Sequence, residues 1–229
     1  MSINNKNFLI VFAHPNPKSY NSAILKHTIK YIKSNNQDHN VEVSNLYEMN
    51  FKSFACAEDF KNPLNPIELD LIKEQINAME KNEFSDEIKT EMEKVLRADN
   101  LIFIFPLWWG GAPSILKGWF DKIFACNFAW GFENMYEKGL LKGKRAIIFT
   151  TIGGDKHEYS AEGDVHADIT QVLHPYHRCI LAFCGIEVLP IHEIYEVEVT
   201  TDEIRKKYLE DIEGIVKNFN STYDLIQKF

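Results

Sequence analysis

Two side chains in the second half of the chain, Tyr159 and His166, can hand protons to a reacting molecule. A phenol and an imidazole do so as general acids, and imidazole is suited to the task near neutral pH. Upstream, Pro106-Leu107-Trp108-Trp109-Gly110-Gly111-Ala112-Pro113 has the makings of a binding edge for a flat molecule. Two adjacent tryptophans cannot both face one side of an extended segment, so at least one lies where it can cover a planar ligand. Gly110 and Gly111 let the backbone come close to that ligand. A third stretch, Ala13 to Ser22, carries His14, Ser19, Tyr20 and Asn21. Its N–H groups, with the dipole of a following helix, would bind a phosphate. It is neither GxGxxG nor a Walker loop. Each stretch also has a plain structural reading. Ser19 or Asn21 can simply cap a helix, the tryptophans can fill a core, and Tyr159 and His166 can lie in solvent.

What separates these readings is the scaffold. Short apolar runs alternate with helical periodicity, the mark of a parallel α/β fold. Phe8 to Ala13, Val41 to Leu46, Leu101 to Phe105 and Ala146 to Thr150 read as four strands, and Glu187 to Tyr195 contains a fifth. Helical spacing follows the first strand at Ile24, Leu25, Ile29 and Ile32. Pro113 suits the first turn of a helix from Ser114 to about Phe124. Ser85 caps a helix running to about Arg97. The last helix is expected to open on a capping box of Thr200 and Glu203. Its apolar stripe runs through Ile204, Tyr208, Ile212, Ile215, Val216 and Phe219. Five such strands suit the doubly wound order 2-1-3-4-5, with helices on both faces of the sheet. Ligands there sit outside the carboxyl ends of the strands, where all three chemical segments fall. The whole chain, 1–229, reads as one domain with a long excursion at about 51–97, holding some helix near Ile67 to Met79.

Composition narrows the function. A formal net charge of −8 argues against a nucleic-acid or anionic-membrane binder, since both need a basic surface. No apolar run approaches the roughly 20 residues of a membrane-spanning helix. The polar start, Met1 to Asn7, lacks a signal-peptide layout, so a cytoplasmic location is expected. The four cysteines, Cys56, Cys126, Cys179 and Cys184, form no CxxC pair, which fits free thiols in a reducing compartment.

Three clusters together resemble the NAD(P)H dehydrogenase (quinone) family. They are His14-Pro15 with Ser19-Tyr20-Asn21, Phe105-Pro106-Leu107-Trp108-Trp109, and Ile115-Leu116-Lys117-Gly118-Trp119-Phe120. The similarity runs through nearly the whole chain, to Arg205, and the Leu-Lys-Gly-Trp-Phe stretch is its most specific part. The resemblance implies a flavodoxin-like fold, bound FAD and a homodimer with the active site at the subunit interface. Thr150-Thr151-Ile152-Gly153-Gly154 to Tyr159 and His166 is similar to a family loop whose glycines pass close to the flavin. There a Tyr and a His, matching Tyr159 and His166, face the ring near the hydride-transfer position. Hydride reaching flavin N5 leaves negative charge on the N1–C2=O side, and nearby donors stabilise it. This chain departs from the pattern at Ile152 and by one extra residue near Asp164.

The resemblance assigns further roles. His14, Ser19, Tyr20, Asn21, Pro106, Leu107, Trp108, Trp109, Gly110, Thr151, Gly153, Gly154 and Tyr159 would hold the cofactor. Arg205 would approach the adenosine end. Trp130, Phe132, Phe183 and His166 would bound the substrate pocket, with Trp130 and Phe132 standing where the family commonly has tyrosines. The excursion resembles an FAD-binding insertion, which favours FAD over FMN. One family branch binds a metal through two histidines; one falls on His177 and the other on Ala182, so no metal is expected. The leading reading is two-electron, ping-pong reduction of quinone-type acceptors by NAD(P)H through the flavin. Two others stand beside it: an ancillary flavoprotein of a potassium-efflux system, and a flavodoxin-like electron carrier.

Overall fold

The β-branched and aromatic runs pair into one parallel sheet. The computed structural model describes residues 5–163 and 165–219. Strand β1 (Asn7–Phe12) is followed by helix α1 (Tyr20–Asn35) and strand β2 (Asn40–Asn45). Helices α2 (Leu71–Lys81) and α3 (Asp86–Arg97) precede β3 (Asn100–Pro106) and α4 (Ser114–Ile123). Then come β4 (Arg145–Thr151), the single turn α5 (Ile169–Val172) and a π-helical segment, Pro175–Leu181. Strands β5 (Glu187–Val188) and β6 (His192–Ile194) lead to α6 (Asp202–Asn218). The order is β2-β1-β3-β4, with β5 and β6 both pairing with β4 on its far side. Every pairing is parallel, and Ile10, Ile102 and Ile147 stand side by side across the centre.

The fifth strand is thus one sheet position filled by two short strands. Pro190 lies between them, has no N–H for the ladder, and breaks the pairing. β3 is buried at every residue, as a central strand covered on both faces must be. On one face Phe12, Ile104 and Phe149 pack with Ile24 of α1 and Ile212 of α6. On the other, Phe103 and Phe105 pack with Ile88 of α3 and Trp119 and Phe120 of α4.

Helix starts follow local chemistry. The Ser19 and Ser85 hydroxyls accept from the N–H groups of Ser22 and Ile88, as N-caps do. The last helix corrects the expectation by one residue. Thr201, not Thr200, is its cap and accepts from Ile204 N, so the Thr200–Glu203 box does not form. Ile204 therefore falls in the first turn and lies exposed, while Ile212, Val216 and Phe219 are buried. The excursion's first helix also starts later than expected, at Leu71, because the Asp70 carboxylate caps it by accepting from Lys73 N.

The excursion is fastened to α4 by buried polar groups. Lys122 forms an ion pair with Asp59 at 2.8 Å and donates to Lys52 O at 3.0 Å, with both charged side chains almost fully buried. Gln75 donates to Asp121 O and accepts from Cys126 N. Glu74, also buried, accepts from the N–H groups of Leu64 and Asn65. Gly118 permits the contact sterically, since a Cβ there would collide with the carbonyl of Ser53. Trp119 is wholly buried, and its Nε1–H donates to Glu91 at 2.9 Å.

Lys122→Ala leaves the Asp59 carboxylate buried without its cation. The expected loss is about 3–5 kcal/mol, as for other broken buried pairs. Urea unfolding of the purified apoprotein measures it; a change within about 1 kcal/mol, typical of surface pairs, would show that the pair does not anchor the excursion.

Candidate functional site

Because the strands are parallel, the loops after β1, β3 and β4 leave the sheet on the same edge. Hydrogen bonds draw them together there. Leu107 N donates to Thr151 O at 2.8 Å, joining the ends of β3 and β4. The buried Asn21 side chain donates to Thr151 Oγ1 at 2.7 Å, joining the first turn of α1 to β4. The ring of His14 contacts that of Trp108, with centroids 5.9 Å apart. The Tyr20 hydroxyl donates to Arg205 O, tying this loop to the start of α6.

The loop after β1 is an anion-binding shape. Beyond the Ser19 cap, the first N–H groups of α1 have no intrahelical acceptor. His14 Nδ1 accepts from Asn16 N, which leaves Nε2 as the donor of the neutral ring. Burial lowers the His14 pKa and favours that neutral form. Asn21 Oδ1 is buried with no partner among the described residues.

After β3 the chain makes a tight turn. Trp108 N donates to Gly111 O and Gly111 N donates to Trp108 O, at 2.9 and 3.0 Å. Trp109 and Gly110 both have positive φ, +51° and +70°. Trp109 thus holds a left-handed conformation uncommon for a bulky residue, and it is fully exposed at 105%. A core role for Trp109 is excluded; Trp108 is also exposed, at 41%. Pro106 is the buried end of the strand and Leu107 is half-buried. Tyr176, which no sequence motif singled out, accepts a hydrogen bond from Ala112 N on its hydroxyl at 2.9 Å.

After β4, Ile152 turns inward. It is buried at 1% and its N–H donates to Ile194 O at 2.8 Å. The residue that interrupts the Thr-Thr-Gly-Gly pattern therefore continues the pairing with β6, and the glycines begin afterwards. A Cβ on Gly153 would meet nothing within 4 Å, so that position borders open space. A Cβ on Gly154 would strike Glu158 and press on Tyr159. The Asp155 carboxylate accepts from His157 N and Glu158 N and folds the next turn. Tyr159 and His166 then stack, with ring centroids 4.5 Å apart and planes 25° from parallel. The extra residue expected near Asp164 lies outside the described residues. Tyr195 stands behind Tyr159 at 6.4 Å. Burial, reinforced by Glu158, raises the Tyr159 pKa, and burial above all raises that of Tyr195, so both remain donors at neutral pH.

These features fit a flavin. They combine free N–H groups for phosphate, exposed aromatic faces, an orphaned amide oxygen and open space at Gly153. The Thr151 hydroxyl accepts from Asn21 and keeps its own hydrogen to donate. The Arg205 guanidinium is engaged, donating to Val197 O and Glu198 O and pairing with Asp202. Trp130, Phe132 and Phe183 form a second aromatic patch. Trp130 contacts the other two at 5.9 and 5.5 Å, and Phe132 is exposed. Phe128 nearby in sequence is buried, whereas Phe183 is only partly so.

A parallel sheet of this order, with ligand loops at one edge, defines a flavodoxin-like protein. The family model described as "flavodoxin-like fold" matches residues 6–216. The chain is 37% identical to the ribosyldihydronicotinamide dehydrogenase (quinone) of Mus musculus over 205 residues, covering 89% of this chain and 87% of that one. It is 35% identical to NAD(P)H dehydrogenase (quinone) 1 of Cavia porcellus over 202 residues, covering 88% and 72%. The crystal structure of a Klebsiella pneumoniae protein assigned as a quinone reductase superposes with a TM-score of 0.88 at 29% identity, covering 95% of this chain and 86% of that one. The chain belongs to the NAD(P)H dehydrogenase (quinone) family of oxidoreductases.

Burial holds the imidazoles of His177 and His192 below the ordinary value of 6.5. The unfolded chain therefore binds more protons as pH falls below 6.5, and stability drops until the folded-state pKa values are passed. Unfolding free energy is expected to fall between about pH 7 and about pH 5, and His192→Gln to flatten that slope. Equal slopes for the two proteins would remove His192 as a contributor.

Proposed function

We propose that the protein is a flavin-dependent NAD(P)H:quinone oxidoreductase. The observation that carries this is the convergence of the three loops at one sheet edge, with the stacked Tyr159 and His166 near the open position at Gly153. A bound flavin would supply two-electron hydride relay from a dihydronicotinamide donor to a quinone-type acceptor, in ping-pong fashion. The α1 N-terminus with Ser19, Tyr20 and Asn21, and His14 Nε2–H, would hold the phosphate end. Trp108, Trp109 and Gly110 would line the ring edge, and Gly153 and Gly154 would lie under it. Tyr159 and His166 would steady developing negative charge and deliver the protons that a quinone needs to leave as hydroquinone. Tyr159 is a protonated phenol at neutral pH, and burial with Glu158 raises its pKa further, which favours hydrogen-bond donation over ionisation.

The excursion, fastened at Lys122, Gln75 and Gly118, supports FAD over FMN. Arg205, on exchanging its contact with Asp202, would approach the adenosine end. Trp130, Phe132 and Phe183 bound the acceptor pocket. Their patch, with exposed Phe132 and Trp109, supports a homodimer in which one subunit's aromatics cover the other's site. Such a covered pocket favours a reductase over a one-electron carrier. Among the described residues no helix is long and apolar enough to cross a membrane. A cytoplasmic location belongs to the same reading.

The test is to purify the protein, release and identify its flavin, and assay NADH, NADPH and dihydronicotinamide riboside against a quinone panel. FAD release with quinone turnover is expected; a colourless protein that takes up neither FAD nor FMN would overturn the reading. Tyr159→Phe is expected to keep the flavin and lower kcat/KM about 10²-fold, the ordinary worth of a positioned proton donor. Unchanged kinetics would remove Tyr159 from the chemistry.

A further inference from the structure

Tyr176 lies on the π-helical segment Pro175–Leu181. Its ring sits against Phe105, near the end of β3, and Phe120 of α4, with centroids 6.0 and 6.2 Å away. Those contacts aim its hydroxyl. Ala112 N donates to Tyr176 Oη at 2.9 Å, and a Cβ on Gly111 would lie 2.7 Å from the same oxygen. The hydroxyl is therefore seated against residues 111 and 112, immediately after the turn at Trp109 and Gly110. Strained backbone of the kind Trp109 shows persists only where neighbouring contacts over-determine it. Trp108 and Gly111 supply one constraint through their paired backbone bonds, and Tyr176 supplies a second from the far side of the loop. Gly111 has no positive φ, so its backbone conformation does not call for glycine. What calls for glycine there is the Tyr176 hydroxyl.

We infer that Tyr176 is a positioning residue. By holding the Ala112 amide and filling the space beside Gly111, its hydroxyl fixes the Trp108–Gly111 turn where the flavin edge docks. The inference rests on the flavin reading above. It extends that reading to a residue outside the three loops, and to a pairing between two positions 65 residues apart in sequence (176 against 111).

A double-mutant cycle tests it, with apoprotein of the wild type, Tyr176→Phe, Gly111→Ala and the double variant titrated with FAD. Losing a net hydrogen bond of about 1 kcal/mol weakens binding roughly fivefold, so Tyr176→Phe is expected to raise the FAD Kd by about that factor. It should also shift the midpoint potential and visible spectrum of the bound flavin, which a merely structural role would leave unmoved. Gly111→Ala alone should weaken binding because its methyl strikes the hydroxyl. In the Tyr176→Phe background that clash is gone, and the same change should cost about threefold less or better. Effects that simply multiply, or a Tyr176→Phe protein with unchanged Kd, potential and spectrum, would overturn the inference. A wild-type protein that takes up no flavin would overturn both it and the proposed function.

Discussion

The site depends first on the burial of β3 in the middle of a parallel sheet. A strand covered on both faces must be apolar along its body and paired on both sides; β3 runs between β1 and β4 and is apolar at 101–106, with the buried Asn100 at its start. Parallel pairing with crossovers sends every strand out at the same edge. The loops after β1, β3 and β4 are then neighbours, whatever their sequences. The bonds from Leu107 N and Asn21 to Thr151 only finish what the sheet arranges. The two faces are closed by different helices, and that division fixes which elements can reach the edge.

The second level is polar and buried. Lys122 with Asp59, Gln75 between Asp121 and Cys126, and Trp119 on Glu91 are costly to remove from water unless each is satisfied. Such groups contribute little net stability over an apolar core, but removing one partner leaves the other buried and unpaired. Here they set where the excursion meets α4. That helix starts at Ser114, directly after the tryptophan turn, so fastening its body also steadies the loop that feeds it. The buried Cys184 thiol belongs to the same interior, and burial pushes its pKa up to about 12.

The edge itself is where the fold gives up local comfort. Trp109 is exposed and left-handed, and Asn21 Oδ1 has no partner among the described residues. Each costs free energy in the bare protein, and a flat, polar-rimmed ligand would offset that cost. The stacked pair of Tyr159 and His166 has a different origin. Asp155 folds the turn before it, and Tyr195 backs the ring from the end of the sheet.

Much of this was legible in the sequence because it follows from local rules. The strand positions, the caps at Ser19 and Ser85, and the three loops at strand ends all come from periodicity and hydrogen-bonding chemistry within a few residues. The fifth strand falls within its expected span, and only its split around Pro190 was not read from the sequence. The last cap was misjudged by one residue, because two adjacent threonines could play the same local part and packing chose Thr201. Other features have no local signal at all. Nothing near Tyr176 in the chain announces Ala112, nothing near Gly118 announces Ser53, and Ile152 reads as an interruption until Ile194 accepts its N–H. The sequence by itself determined a buried parallel sheet with chemistry at its strand ends, because burial and periodicity are written residue by residue. Only the tertiary structure decided which distant groups hold those ends in place, because that is set by contacts between segments far apart in the chain.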